Sequence, residues 1–479
     1  KVMGDKIKNG LALVTVSTII RNVVGVAQIS VLTRLLAKSD FGIIALAGLF
    51  VNFTILFTDM GISAGILHYQ RITKNEYSSL YIFNLFFGII LSVCLYLLSP
   101  LIVRSYNSQV LVEVIQLLCL SILLNSIGNQ QRIVCQKQKK FLRLSVIEII
   151  ASLITFIVAI STAYLGYGVF SLAYSTLAGV FLNNVLHLLF GVVIDNSLSL
   201  HFRFFEIKKY LRIGIFSVGA QILDFFTREL DVIIVSSTLG LDFLGVYNVS
   251  KRITLSIYGF VTPIVSKIFT PVLAEVNNNK DRLYYGFTKL ISSISLISLP
   301  LFMLISAFSP TVIYIIFGSE FVEGAPIQSV FAFMFGINCF LSTAGSLQIA
   351  TARTDIGLVW TIFSICATTL VFYVSSRFGI TCFLIGIVFR SVIDVIFIWL
   401  FQFKKMLGIS FCKYIRLFLY PLCVCILLSI PFWMFFYEPN LILTIAGTMF
   451  FIVAYILILW NSSYKDELQY LIKKTIYND

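Results

Sequence analysis

The stretch "LTRLLAKSDFGI", Leu32 to Ile43, breaks a long apolar run with Arg34, Lys38 and Asp40, closes on a Phe-Gly step and lets the apolar run resume. An interruption this short, between runs each long enough for roughly 20 residues of helix, reads as a turn joining two membrane spans. A second stretch, "SSTLGLDFLGV" (Ser236 to Val246), has the same character. With Gly42 laid on Gly245, 203 positions later, Leu36 falls on Leu239, Ala37 on Gly240 and Ile43 on Val246. One turn is used twice, so the chain is expected to contain an internal repeat.

The rest of the composition agrees with a membrane setting. Of 479 residues 59% are hydrophobic and only 12% charged, and the mean hydropathy is +0.97; soluble domains carry about a quarter charged residues. The first apolar run is expected to stay as a span and not to be removed as a leader. The nine Cys show no C-x-x-C spacing and mostly sit in apolar runs, so they read as packing residues, and the three scattered His make a metal site improbable. No metal and no cofactor is expected.

The ruler of roughly 20 apolar residues per span gives about fourteen spans, among them 284–317 read as one long segment and 244–271 carrying Pro263 and Pro271, which should bend it or open its hydrogen-bond ladder. The fold expected is an all-α polytopic membrane protein: an N-lobe over 9–194, a C-lobe over 213–403, and a C-terminal helix pair over 414–461. Six spans per lobe is an even number, so the two lobes enter from one side and are related by a pseudo-twofold axis along the membrane normal. Most Lys and Arg fall in the even-numbered loops and at the termini, which places both termini in the cytoplasm. The net charge of +13 is then a topology signal, and no nucleic-acid partner is implied. No loop is long enough for a soluble catalytic domain and no G-x-x-x-x-G-K-[ST] pattern is present, so an ATP-driven pump is not indicated and a glycan polymerase is the weaker reading.

Several stretches carry a resemblance in combination: "LTRLLAKSDFG" at 32–42, "TDMGISAGI" at 58–66, "QKQKKFLRLSVIEIIAS" at 136–152, "RELDVIIVSSTLGLDFLGVYNVSKRI" at 228–253, "TPIVSKIFTPVLAEVNNNKDRL" at 262–283 and "LPLFMLISAFSPTVIYIIFGSEF" at 299–321. Together, from about residue 9 to about 390, they resemble the polysaccharide-flippase (Wzx-type) branch of the multidrug/oligosaccharidyl-lipid/polysaccharide exporter superfamily. The resemblance implies a non-enzymatic transporter of the bacterial cytoplasmic (inner) membrane. It would carry undecaprenyl-diphosphate-linked oligosaccharide across the bilayer by alternating access, for O-antigen, capsule or exopolysaccharide synthesis. Membrane lipids are implied as neighbours, and a polysaccharide polymerase and chain-length regulator as partners by analogy. A cation-coupled drug or metabolite antiporter of the same superfamily is the alternative, though its cavity should be rich in acids.

Charges inside spans cost roughly 2.5–3.5 kcal/mol each and normally face protein or a wet cavity. A lipid diphosphate calls for cations able to form charge-assisted hydrogen bonds, and six are available: Arg21, Arg228, Lys251, Arg252, Lys267 and Arg390. Arg228 has Asp224 and Asp231 at helical spacing, and Arg390 has Asp394, so these are expected to pair along their own helices. Arg21, Lys251, Arg252 and Lys267 have no such acid within their spans and are the stronger substrate candidates. Asp59, Glu148, Glu229 and Asp231 are candidate ion-coupling carboxylates; Asp231 also matches the acid in an R-x-x-D-x-x-[IL] pattern implied by the resemblance. Tyr247 and Tyr258 are candidates for stacking on sugar rings, and Gly61-x-x-x-Gly65 for close helix contact.

Overall fold

A segment in hydrocarbon must satisfy its backbone hydrogen bonds within itself, and this chain does so as helix. The computed structural model describes residues 2–464 except 70, 71, 107, 196, 197, 200, 436–438 and 463; the side chains of 2–12, 105, 213, 264, 267, 268 and 435 also lie outside the description. The long and short helices of the first part are α1 (Val2–Leu32), α2 (Lys38–Thr58), α3 (Ile62–His68), α4 (Lys74–Val103), α5 (Gln109–Lys137), α6 (Phe141–Tyr164), α7 (Val169–Leu189), α8 (Phe204–Thr238) and α9 (Leu241–Glu275). There follow α10 (Lys280–Ala307), α11 (Ser309–Phe317), α12 (Ala325–Leu341), α13 (Thr343–Ala350), α14 (Thr354–Ser376), α15 (Ile380–Ile398), α16 (Lys404–Leu407), α17 (Phe411–Phe435) and α18 (Leu441–Trp460). Twelve helical segments among the described residues are long and apolar enough to cross a membrane. The two remaining expected spans, 213–238 and 244–271, lie on the 35-residue helices α8 and α9, which are not among those twelve.

The charges of Leu32–Ile43 have local work. Arg34 folds back so that its Nη1 donates to the Ser30 carbonyl at 2.5 Å. The Asp40 carboxylate accepts the Ala37 N–H at 3.1 Å, which places an acid in the first turn of α2, where the helix dipole favours it. Thr73 and Glu76 start α4 with a reciprocal capping box.

Packing divides the chain into Lys1–Asn248 and Val249–Asp479. In the first unit α5 packs on α2, α4 and α7, and α6 lies on α1 and α7. The α8 helix joins this unit against α2, α3 and α4, where Ile62, Ile66, Tyr77, Leu80, Ile207 and Tyr210 form a buried cluster. The close contact expected of Gly61-x-x-x-Gly65 is made there: Gly61 sits at φ +70°, and a Cβ on it would lie 2.2 Å from Gly214 Cα, while Gly65 faces Tyr210. In the second unit α10 packs on α12 and α17, α15 on α12 and α14, and α18 on α17. The α10 and α12 segments are mostly buried, whereas α14 and α18 show most of their apolar surface outward, as helices facing lipid do.

The two aligned turns meet. A Cβ on Gly42 would lie 1.9 Å from the Leu241 carbonyl oxygen, and a Cβ on Gly245 would lie 1.9 Å from the Lys38 carbonyl oxygen. Lys38 and Leu241 are themselves 203 positions apart, so the contact maps onto itself under the repeat. That reciprocity is what a twofold relation between the starts of α2 and α9 requires.

One expected span is corrected. The segment 284–317 is two helices, α10 ending at Ala307 and α11 starting at Ser309, with Pro310 in the first turn of α11. Proline is at home in a first helical turn and hostile to an interior one, so the chain restarts there. By contrast α9 runs as one helix through Pro263 and Pro271.

Candidate substrate site

The five candidate cations whose side chains are described differ sharply in their surroundings. Arg21 on α1 reaches across to α6, with Nη1 at 3.3 Å from Glu148 Oε2. Arg132 of α5 holds the other oxygen of the same carboxylate at 3.1 Å. Thus Arg21, without an acid in its own span, finds one on a neighbouring helix, while its buried Nε lacks a hydrogen-bond partner. Arg228 pairs with Asp224 at 3.0 Å as the i, i+4 spacing indicates, with both side chains mostly exposed. Arg390 on α15 is buried and paired with Asp394. It also donates from Nε to Thr368 Oγ1 at 2.9 Å and from Nη2 to Ser364 Oγ at 2.7 Å, both on α14. That network ties two helices together and occupies the guanidinium from several sides.

The adjacent pair on α9 is different. Lys251 places its Nζ 5.4 Å above the Phe331 ring centre of α12, a cation–π contact. Arg252 is exposed and makes no ion pair among the described residues. Lys267 falls on a side chain outside the described residues.

The acids also separate. Asp59 ends α2 and accepts the Ser63 hydroxyl at 2.6 Å together with the Ser63 N–H. It braces the turn at Met60 and Gly61, both at positive φ. Glu148 is shared by the two arginines already named. Asp231 is buried; its Oδ2 accepts the Tyr247 hydroxyl at 2.6 Å and its Oδ1 the Val232 N–H at 2.9 Å. Glu229 is half-buried on the same helix. The two tyrosines proposed for sugar stacking have other contacts: Tyr247 is fully buried on Asp231, and Tyr258 stacks on Phe335 at 4.8 Å.

Sequence spacing missed Arg132, Ser364 and Thr368, because each bonds its partner across helices, where i, i+4 arithmetic is blind. It also missed a cavity of about 940 Å³ in the first unit, bordered by α2, the α4–α5 turn and the α8–α9 turn. Its only sequence signal is the hydroxyl run Ser236–Thr238 inside the repeated turn. None of its lining residues is Lys or Arg.

At the loop end of α6 and α7, Asp195 accepts from Lys140 Nζ at 2.7 Å and Arg143 Nη1 at 2.6 Å. Partial burial pushes its pKa up, but the hydrogen bonds and charges of those two cations outweigh it and hold the carboxyl below its ordinary value.

Known proteins agree with this architecture. The chain is 25% identical over 419 residues to the lipopolysaccharide biosynthesis protein WzxC of Escherichia coli (strain K12), covering 86% of this chain and 84% of that protein. It is 25% identical over 361 residues to the teichuronic acid biosynthesis protein TuaB of Bacillus subtilis (strain 168), covering 74% and 73%. Among solved structures, the lipid II flippase MurJ in an inward closed conformation superposes with a TM-score of 0.74 at 13% identity, covering 95% of this chain and all of that one; at that identity the likeness is one of fold. The sequence profile of a family described as polysaccharide biosynthesis protein matches residues 31–326, more than half of the chain, and the protein belongs to that family.

Proposed function

We propose that this protein is a flippase, moving undecaprenyl-diphosphate-linked oligosaccharide repeat units from the cytoplasmic to the periplasmic leaflet of the bacterial inner membrane, with both termini in the cytoplasm. It works by alternating access of the lobes 9–194 and 213–403 and makes or breaks no covalent bond. Family membership, relatives named for polysaccharide biosynthesis and a fold shared with a protein named as a lipid II flippase support the reading.

The observation that carries the chemistry is Arg252. Arg21, Arg228 and Arg390 each have a carboxylate within ion-pair distance, whereas Arg252 is exposed within a helix that the sequence places across the bilayer. A diphosphate offers two negative charges and several acceptor oxygens, and a guanidinium can hold two of those oxygens at once. Lys251, the next residue along α9, is directed onto the Phe331 ring. Asp59, Glu148, Glu229 and Asp231 remain the candidate carboxylates for moving a proton or cation.

The test is transport in proteoliposomes of an undecaprenyl-diphosphate oligosaccharide by wild type, Arg252→Ala and Arg252→Lys. A well-folded Arg252→Ala protein should lose transport by roughly tenfold or more, the scale of one charge-assisted hydrogen bond, with partial recovery in Arg252→Lys. Transport unaffected by both changes would move the diphosphate site elsewhere. No transport by wild type under any ion gradient would return the reading to an antiporter.

A further inference from the structure

We propose that the cavity beside the repeated turns binds the saccharide part of the cargo and excludes its diphosphate; the proposal rests on the flippase reading above. The argument begins with which hydrogen-bonding atoms its walls present. On the α8 side, Ser236 Oγ donates to the Ile233 carbonyl at 2.9 Å, Ser237 Oγ to Ile234 at 3.0 Å and Thr238 Oγ1 to Ile234 at 2.7 Å. A hydroxyl that has spent its proton on its own helix keeps oxygen lone pairs, and so meets a ligand as an acceptor. Asp242, exposed in the first turn of α9, is an acceptor only when ionised. Tyr106 Oη lies 3.2 Å from Ser236 Oγ and holds the rim of the α4–α5 turn to this wall.

An acceptor-rich wall with a carboxylate and no Lys or Arg repels a phosphate, whose oxygens are themselves acceptors and carry charge. It suits a ligand rich in O–H or N–H donors and neutral or positive: a polyhydroxylated or amino-bearing saccharide. The opposite wall is apolar, from Ile43, Leu46 and Phe50 of α2, a surface on which the C–H face of a sugar ring can lie. The volume of about 940 Å³ is at the upper end of ligand pockets, roughly 300–1,000 Å³, which fits a short oligosaccharide better than a single sugar. In the proposed topology the α8–α9 turn faces the periplasm, so the glycan is held at the outer end of the first unit while the diphosphate engages cations elsewhere.

The experiment compares two probes on the full chain in lipid nanodiscs: undecaprenyl diphosphate bearing the host's oligosaccharide repeat, and undecaprenyl diphosphate without sugar. Two variants are used, Ser237→Val with Asp242→Asn, which removes acceptors, and Ser39→Phe, which fills the cavity from α2. Both should weaken binding of the glycan-bearing lipid by about tenfold, the value of one or two lost hydrogen bonds, and leave binding of the bare lipid within about twofold. Equal weakening of both lipids, or a glycan lipid that binds both variants as it does wild type, overturns the saccharide site while the flippase reading stands. Wild type that binds neither lipid overturns the flippase reading itself.

Discussion

The contact between Gly42 and Gly245 gives the sharpest prediction. Replacing either with Ala sets a methyl 1.9 Å from a backbone carbonyl oxygen, Leu241 in one case and Lys38 in the other, where ordinary contact begins at 3.4 Å. No rotamer relieves a clash with backbone, so the starts of α2 and α9 must separate by about 1.5 Å, an overpacking that costs about 1–3 kcal/mol, at the upper end here. The repeat makes the two substitutions equivalent, so Gly42→Ala and Gly245→Ala should destabilise by similar amounts. The double variant should cost clearly less than their sum, because the second methyl enters a gap the first has opened. Gly48, in the same helix α2, has nothing within 4 Å of its would-be Cβ. Gly48→Ala should therefore be neutral or stabilise by about 0.5–1 kcal/mol through helix propensity. Thermal unfolding of the purified protein in detergent, with the four variants side by side, reads all of this. If Gly42→Ala and Gly245→Ala melt like Gly48→Ala, the close crossing of the repeated turns is wrong.

Three further outcomes follow from side-chain contacts. Asp394→Asn strips a buried guanidinium of its carboxylate and should destabilise by about 3–5 kcal/mol, while Arg390→Met with Asp394→Leu should recover most of that loss; an unfolding cycle on the two positions checks it. Glu148→Gln leaves Arg21 and Arg132 facing each other without their shared anion, and should cost about 1–3 kcal/mol in the same unfolding assay, against a smaller effect for Arg132→Gln, whose side chain is half exposed. Asp195 has a folded-state pKa below its ordinary 3.8, so its contribution to stability is present above that value and is lost as pH falls through the depressed one. Asp195→Asn should therefore lower stability at neutral pH and flatten the acid limb below about pH 4, as a melting series across pH would show.

Much of the fold was legible because it is written in local terms. A bilayer imposes a length and an apolarity on every span, and both can be counted along the chain; the repeat was visible because a turn must carry its own glycine and polar residues wherever it is used. The pairs Asp224–Arg228 and Arg390–Asp394 were legible for the same reason, since residues four apart on one helix are neighbours before any packing occurs. Where local signals compete the reading failed, as at Pro310, which lies inside an apolar run that counts as one span yet restarts the helix.

The tertiary structure decided which charges pair with one another. Arg21 looked unpaired because its acid, Glu148, is far off in sequence and arrives only when α6 packs on α1. Asp231 and Tyr247 meet across the turn between α8 and α9, and the hydroxyls of Ser236–Thr238 become the wall of a cavity only because α2 and the α4–α5 turn close the other sides. Helical periodicity specifies the face a residue occupies on its own helix; what that face meets is set by side-chain packing between helices, which one-dimensional spacing does not encode.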